Sequence, residues 1–288
     1  MIITDRFVVI NYPKTGTTFF RKVIKDIYEN NTTLAKRFLY EFRLLQSPIR
    51  ELMLPKLYGD YDPSVVDQHG VYRQIPPEDV KKTIVSIARN PLTKYISSFV
   101  FGWWKQHPPF DLAAVKEAFP TFPDLSFPDF YTLVNHPLVD EDKLAIPGAR
   151  SLGSYTRMFL VFYSKDPDVA VQRVLNGECL DNILPAITFL HQEFLEDELE
   201  IFLREMSYEA SHIRRVRTVG KLNVGSKEEK SAIKSDELIE VAREILTHDK
   251  ALLDTFSEYG QQIEAIANGA DPARMPTSGF TGPRKLGR

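Results

Sequence analysis

The sequence has little of several features that would assign it to other classes of protein. Cys179 is its only cysteine, which excludes an internal disulfide and a cysteine-based metal site. No other cluster of side chains has metal-ligand spacing, so no metal is expected. No apolar run approaches the roughly 20 residues of a membrane-spanning helix, and we expect no signal peptide before the first apolar segment. The net charge is only −3, without a basic stripe along the chain. These absences predict a cytoplasmic protein that binds neither nucleic acid nor a membrane.

The length and composition favour one globular unit. The chain has 288 residues, of which 43% are hydrophobic, and it can therefore bury one large core. No internal repeat divides it. We expect residues 1–267 to form a single domain and residues 268–288 to form a mobile basic tail that contains Gly and Pro.

The most informative segment is a hydroxyl-rich loop that follows the apolar run at residues 7–10. Its residues are Pro13, Lys14, Thr15, Gly16, Thr17 and Thr18. Apolar residues then recur at helical spacing over residues 20–28, which predicts an amphipathic helix. Backbone N–H groups at a helix start have no intrahelical partner and attract anions. Gly16 allows close approach of the backbone, and Lys14 adds a positive charge. The segment therefore predicts a binding loop for a phosphate-type or sulfate-type anion.

This loop differs from the loop of nucleoside-triphosphate hydrolases. In that motif the lysine directly follows a glycine, whereas Lys14 precedes Gly16. The alternative interpretation of the segment alone is an ordinary strand-to-helix turn with a surface lysine.

A second motif begins where a predicted strand ends. Residues 83–88 have the β-branched composition of a short buried strand, and Asn90-Pro91 interrupts it. A helix is predicted from residue 92 to residue 104. Arg89 then lies at the carboxyl end of a strand, where open α/β sheets bind ligands. The alternatives are a surface ion pair for Arg89 and a hydrogen bond from Ser97 to its own helix backbone.

Taken together, these motifs resemble those of the sulfotransferases that use 3′-phosphoadenosine 5′-phosphosulfate (PAPS). Residues 13–18 resemble the 5′-phosphosulfate loop of that family, with Phe19 where the family usually has Trp. Arg89-Asn90-Pro91 with Ser97 and Phe99 resembles its 3′-phosphate motif. Three weaker similarities lie at residues 152–155, 193–197 and 219–223.

The resemblance implies a fold and a set of cofactor-binding residues. The fold is α/β, a single domain with a central, mainly parallel β-sheet flanked by helices and a P-loop-like strand–loop–helix at its start. PAPS is the implied cofactor, and adenosine 3′,5′-bisphosphate (PAP) is its product. The implied cofactor-binding residues are Lys14, Thr15, Gly16, Thr17, Thr18, Phe19, Arg89, Ser97, Tyr155 and Lys221.

Two catalytic residues are expected for the transfer of a sulfuryl group. Lys14 would neutralise charge on the leaving phosphate oxygen. A histidine suits the removal of the acceptor's proton, and His69 is the best candidate because many members of the family carry their histidine at a similar interval before the arginine motif. Asp67 and Glu51 remain as carboxylate alternatives.

The acceptor is expected to be a hydroxyl group, or less readily an amine, of a small specialised metabolite. A saccharide is the next candidate. Functions of other classes also remain open, namely a P-loop kinase or nucleoside triphosphatase and a non-catalytic nucleotide-binding module. The motifs do not indicate an oligomeric state.

A proline-rich and aromatic segment covers residues 107–137. Its prolines predict irregular structure without regular helix. The segment is expected to be either an excursion packed by its own aromatic rings or a wall or lid of the substrate pocket.

Overall fold

The computed structural model describes residues 1–30, 38–40, 42, 44–45, 47–57, 64–108, 111–135, 151–219, 232–271 and 282–287. Lys221, one of the predicted cofactor-binding residues, lies outside these ranges. So does most of the weak motif at residues 219–223.

A six-stranded sheet with the order β3-β1-β2-β6-β7-β8 forms the centre of the described structure. Its strands are β1 (Ile2–Thr4), β2 (Phe7–Val9), β3 (Ile49–Glu51), β6 (Thr83–Ala88), β7 (Ile187–His191) and β8 (Arg284–Leu286). A separate two-stranded hairpin consists of β4 (Leu54–Pro55) and β5 (Val66–Asp67). The central strands β2, β6 and β7 are parallel, whereas β1, β3 and β8 pair in antiparallel fashion at the edges. The predicted α/β class with a parallel central sheet is confirmed.

Helices lie on both sides of this sheet. In chain order they are α1 (Thr17–Asn30), α2 (Pro91–Phe101), α3 (Trp103–Gln106), α4 (Leu112–Ala118), α5 (Phe127–Asn135), α6 (Ser154–Tyr163), α7 (Pro167–Leu175), α8 (Leu180–Ile183), α9 (Leu195–Glu205), α10 (Ala210–Ile213), α11 (Arg215–Thr218), α12 (Ser235–His248), α13 (Lys250–Thr255) and α14 (Ser257–Ala267). Among these described helices, none combines the length and apolar character required to cross a bilayer.

The alternation of side chains along β2 divides the core into two layers. Phe7 and Val9 face the layer formed with α1 and α9, whereas Val8 and Ile10 face the layer formed with α2, α6 and α14. This alternation follows from the period of two in an extended chain. Because both faces of the central strands are buried, their sequences are almost continuously apolar.

The C-terminal segment differs from the expectation of a mobile tail. Arg284–Leu286 forms β8, which pairs with β7 through Ile187 opposite Leu286, and Leu286 is buried. These residues therefore belong to the sheet. The antiparallel addition of one short strand leaves no periodic signal in the sequence.

The proline-rich segment also differs from its prediction, because it contains the regular helices α4 and α5. Pro128 lies in the first turn of α5, where its missing N–H group disrupts no intrahelical hydrogen bond. Several of its aromatic rings are buried in the main core. The prediction of irregular structure was therefore wrong, and the aromatic residues support the core of the protein.

Candidate anion-binding site

The two predicted motifs lie at the same edge of the sheet. In the parallel pair β6–β7, Ala88 is opposite His191, so both strands end at the same level. The loop between β2 and α1 extends beyond this level because β2 is parallel to β6. Residues 11–16 and Arg89 consequently meet at the carboxyl edge of the central strands, which is the usual ligand-binding edge of an open α/β sheet.

The loop presents a row of backbone donors at the start of α1. The N–H groups of Phe19 and Phe20 bond to the Gly16 carbonyl oxygen, at 3.0 and 3.4 Å. By contrast, the N–H groups of residues 15–18 donate no hydrogen bond to any described residue. Uncommitted donors at a helix N-terminus, where the helix dipole is positive, are the backbone arrangement that binds phosphate or sulfate.

Hydrogen bonds inside the loop set its shape. The hydroxyl groups of Thr15 and Thr17 donate to the Tyr12 carbonyl oxygen, at 2.9 and 3.4 Å. Gly16 has φ = 92°, and a Cβ atom there would lie 3.1 Å from the Leu195 side chain. Only glycine adopts this conformation without strain at so close a contact. Thr15 and Thr17 thus hold the loop through their side chains, and Thr18 is the exposed threonine.

Arg89 joins the two motifs. Its guanidinium donates to the Lys14 carbonyl oxygen at 2.7 Å and to the Thr93 hydroxyl at 3.0 Å. Further N–H donors of the same planar group make no hydrogen bond with another described residue. Arg89 therefore supports the loop with part of its guanidinium and keeps donors for a ligand.

The first backbone N–H groups of α2 are already hydrogen-bonded, so a ligand at this helix start would be bound by side chains. Asn90 caps the helix, since its side-chain oxygen accepts from the N–H groups of Leu92 and Thr93, at 3.0 and 3.4 Å. These backbone donors are therefore occupied. Ser97 lies further along α2 and is half-buried, and its hydroxyl forms no hydrogen bond with the described part of the chain.

Tyr155 and Phe19 are largely enclosed by protein. The Tyr155 hydroxyl donates to the Arg89 carbonyl oxygen at 3.0 Å and accepts from the Arg89 N–H at 3.3 Å. Its ring stacks on Tyr12, with ring centroids 5.6 Å apart. Phe19 packs in the core layer beside α1 and α9. Tyr155 fixes the Arg89 backbone, and both residues leave little surface for a ligand.

His69 is anchored to the same loop. Its Nδ1 lies 2.7 Å from the Asn11 carbonyl oxygen, and its backbone N–H donates to Asp67 at 2.6 Å. A carbonyl oxygen only accepts, so Nδ1 carries the proton and Nε2 has the lone pair. Burial lowers the pKa of His69 from its ordinary value of 6.5, opposed by the Asn11 hydrogen bond and by Asp67. The imidazole is therefore neutral at neutral pH.

The carboxylate alternatives to His69 are engaged elsewhere. Glu51 forms ion pairs with Arg21 and Lys25. Asp67 accepts from the His69 backbone and has Lys56 at 4.0 Å. No group of His, Cys, Asp or Glu side chains in the described ranges has the geometry of a metal site.

Two side chains at this edge were missed from the sequence. The exposed ring of Phe101, with 61% of its surface accessible, lies 3.6 Å from the Lys14 ammonium. Lys94, which lies in α2 shortly after Arg89, is buried. The spacing of Lys94, Ser97 and Phe101 on one face of α2 was the available signal.

The chain has a structural similarity to one class of known protein but no match in sequence. No protein-family model and no curated protein sequence matches the chain. Among solved structures, the chain is similar to that of mouse sulfotransferase SULT7A1 complexed with PAP, at 13% sequence identity and a TM-score of 0.29. The match covers 82% of this chain and 66% of the mouse chain, so this chain spans just under two thirds of that length.

Proposed function

We propose that the protein is a PAPS-dependent sulfotransferase that acts on a hydroxyl group of a small molecule. The observation that carries the proposal is the hydrogen bond from Arg89 to the Lys14 carbonyl oxygen, 2.7 Å long. It joins two anion-binding motifs into one site, which suits a ligand with anionic groups at two separate positions. His69, bonded to Asn11 of the same loop, supplies a neutral base beside them.

The residues present fit the bound nucleotide. The N–H groups of residues 15–18 and the exposed Thr18 hydroxyl would hold the 5′-phosphate. Arg89 and Ser97 would hold the 3′-phosphate, with Tyr155 keeping the Arg89 backbone in position. Lys221 is also proposed for this end of the nucleotide. When bound, PAPS supplies a sulfuryl group attached to its 5′-phosphate.

The protein's own part in the reaction is positioning, charge neutralisation and proton transfer. Lys14 would place its ammonium beside the oxygen that becomes negative as the sulfuryl group leaves. The Nε2 lone pair of His69 would accept the proton of the attacking hydroxyl. In-line geometry then depends on how the acceptor is held between these two side chains.

We propose a small specialised metabolite as the acceptor, with a saccharide or an amine as alternatives. We also propose that catalysis takes place in the cytoplasm, in the domain predicted for residues 1–267, to whose sheet residues 284–286 add a strand. The exposed Phe101 ring beside Lys14 supports an acceptor with an apolar surface.

Calorimetric titration with PAP and with ATP, the latter with and without Mg²⁺, tests this function. We expect PAP to bind at least about tenfold more tightly than ATP, because only PAP carries a 3′-phosphate. Tighter binding of ATP with Mg²⁺ would identify a P-loop kinase or nucleoside triphosphatase instead. PAP binding without any transfer of labelled sulfate from PAPS, across a panel of alcohols, sugars and amines, would indicate a non-catalytic nucleotide-binding module.

A further inference from the structure

Lys94 is a buried cation that the proposed mechanism does not use. It lies in the first half of α2 and is only 8% exposed. Tyrosine rings surround its ammonium, whose distance from the ring centroid is 4.5 Å for Tyr155, 5.4 Å for Tyr12 and 5.9 Å for Tyr95. The negative faces of aromatic rings stabilise a cation, but they do not replace a counter-ion.

The ammonium has no anionic partner within the described residues. It makes no hydrogen bond and no ion pair there, although Asp249 is a buried carboxylate close enough to affect its pKa. The Asp249 oxygens accept from the Thr156 N–H and hydroxyl, at 2.9 and 2.7 Å, and from the Tyr95 hydroxyl at 3.0 Å. The Tyr12 hydroxyl is also buried and has no hydrogen-bond partner in the described part of the chain. Burial of an ammonium without a bonded partner is unfavourable, so its retention requires an explanation.

The rings that surround Lys94 belong to the two anion-binding motifs. Tyr12 begins the loop, and its carbonyl oxygen holds Thr15 and Thr17. Tyr155 holds the backbone of Arg89. Lys94 thus lies against one ring from the loop and one ring that supports Arg89. Its side chain shares a helix face with Ser97 and Phe101.

The charges around Lys94 also indicate that this edge of the sheet favours an anion. Burial lowers the pKa of Lys94 to about 8, opposed by Asp249, while Arg89 and Lys14 lower it further by repulsion. The other titratable groups that face it are Tyr12, Tyr95 and Tyr155, whose pKa values burial raises above the ordinary value. Three positive side chains that repel one another across one edge of the sheet are mutually stabilised when an anion binds among them.

We infer that Lys94 is a third cation of this site, which strengthens the binding of phosphate-type or sulfate-type anions between the Lys14 loop and Arg89 through its charge. The identity of the ligand as PAP rests on the proposed function, whereas the anion class does not. Lys94 is accordingly a binding residue that acts at a distance, without a role in the chemical step.

The inference has a distinct pH dependence. Below about pH 8 Lys94 is protonated and contributes to anion affinity. As the pH rises above this value, the free protein loses that proton and anion affinity falls. The tyrosines that face Lys94 keep their protons over the same range, because burial raises their pKa values.

The experiment compares the wild type, Lys94→Met and the control Lys116→Met. Lys116 is an exposed lysine of α4, so the control makes the same change in formal charge. PAP and inorganic pyrophosphate are titrated into each protein from about pH 7 to about pH 9.5. We expect Lys94→Met to lower both affinities about tenfold or more at pH 7 and to remove their alkaline decline, with Lys116→Met unchanged. Thermal unfolding without ligand should show that Lys94→Met is at least as stable as the wild type, since a buried charge has been removed.

Every other outcome either supports or overturns the inference about Lys94. Equal affinities in Lys94→Met and wild type overturn the inference and leave the proposed function intact. Pyrophosphate binding that depends on Lys94, in a protein that does not bind PAP, supports the inference and contradicts the proposed function. Absence of any anion binding to the wild type overturns both. If Lys94→Met does not fold, wild-type affinities that stay constant through pH 8 overturn the inference on their own.

Discussion

Lys14 and His69 lie at the same edge of the sheet but belong to different elements, and the two side chains have different surroundings. Lys14 lies at the helix start with its ammonium against the Phe101 ring. His69 is partly buried and donates from Nδ1 to Asn11, which keeps the imidazole neutral with Nε2 as the acceptor. At the residue scale, one side chain can neutralise negative charge while the other accepts a proton.

Replacement of Lys14 by methionine tests the leaving-group role. We expect kcat to fall about 10²–10³-fold, because the interaction strengthens as charge develops in the transition state. Methionine keeps the length of the side chain, and the left-handed backbone at φ = 65° should cost the variant no more than it costs lysine. Steady-state kinetics with PAPS give the result. A normal kcat with only a raised KM for PAPS would contradict the role.

Replacement of His69 by asparagine tests the base. The amide nitrogen of asparagine can still donate to the Asn11 carbonyl oxygen, so the loop should keep its shape and PAP should bind normally. We expect kcat/KM to fall about 10²–10⁴-fold. The wild-type rate should decline on acidification with a midpoint below 6.5, because burial lowers the pKa of the base. A variant that keeps this acidic decline would transfer the role to Asp67 or Glu51.

At the scale of elements, the anion site depends on the turn that connects β2 to α1. Gly16 has φ = 92°, and a Cβ atom there would lie 3.1 Å from the Leu195 side chain and 3.3 Å from the Gln192 side chain, both of which follow β7. The turn is thus held between its own helix and the segment before α9. Its uncommitted N–H groups keep their direction only while this packing persists.

A matched pair of glycine variants separates backbone strain from this contact. Gly269 has φ = 93°, but a Cβ atom there would meet nothing within 4 Å. Gly269→Ala should lower the free energy of unfolding by about 1 kcal/mol through strain alone. Gly16→Ala should cost more, about 2–3 kcal/mol, and should also abolish PAP binding. Denaturant unfolding and calorimetry measure the two effects. Equal losses of stability with PAP binding retained would show that the turn tolerates a side chain.

The sequence predicted those helices, strands and turns that depend on the backbone preferences of neighbouring residues. The strand at residues 83–88, the Asn90-Pro91 helix start and the turn before α1 all follow from the backbone preferences of a few neighbouring residues. The end of α2 at Phe101 depends on Gly102, which adopts a left-handed conformation. The helices of the proline-rich segment were missed because proline is harmless in a first turn.

At the scale of the molecule, the parallel strands β2, β6 and β7 bring together residues that are distant in sequence. The α/β class could be predicted from two strand–loop–helix units. The antiparallel edge strands could not, since β1, β3 and β8 are too short to show a period. Lys94 and Phe101 were missed for a related reason. Burial and cation–π contacts come from tertiary packing, which a single sequence does not specify.

We propose that one site binds a nucleotide through two separate anionic groups. Arg89 supports the loop through Lys14, so its removal should weaken every ligand of the site to some extent. A double-difference cycle cancels this shared loss. The most direct measurement titrates PAP and adenosine 5′-monophosphate, which lacks the 3′-phosphate, into the wild type and into Arg89→Ala.

We predict a coupling free energy of about 2–5 kcal/mol between Arg89 and the 3′-phosphate, because removal of the guanidinium leaves a dianion poorly compensated. Adenosine 5′-monophosphate should bind weakly to both proteins, with only the small loss that comes from the loop. A coupling energy near zero would contradict the claim, because Arg89 would then be only a structural link between the loop and α2.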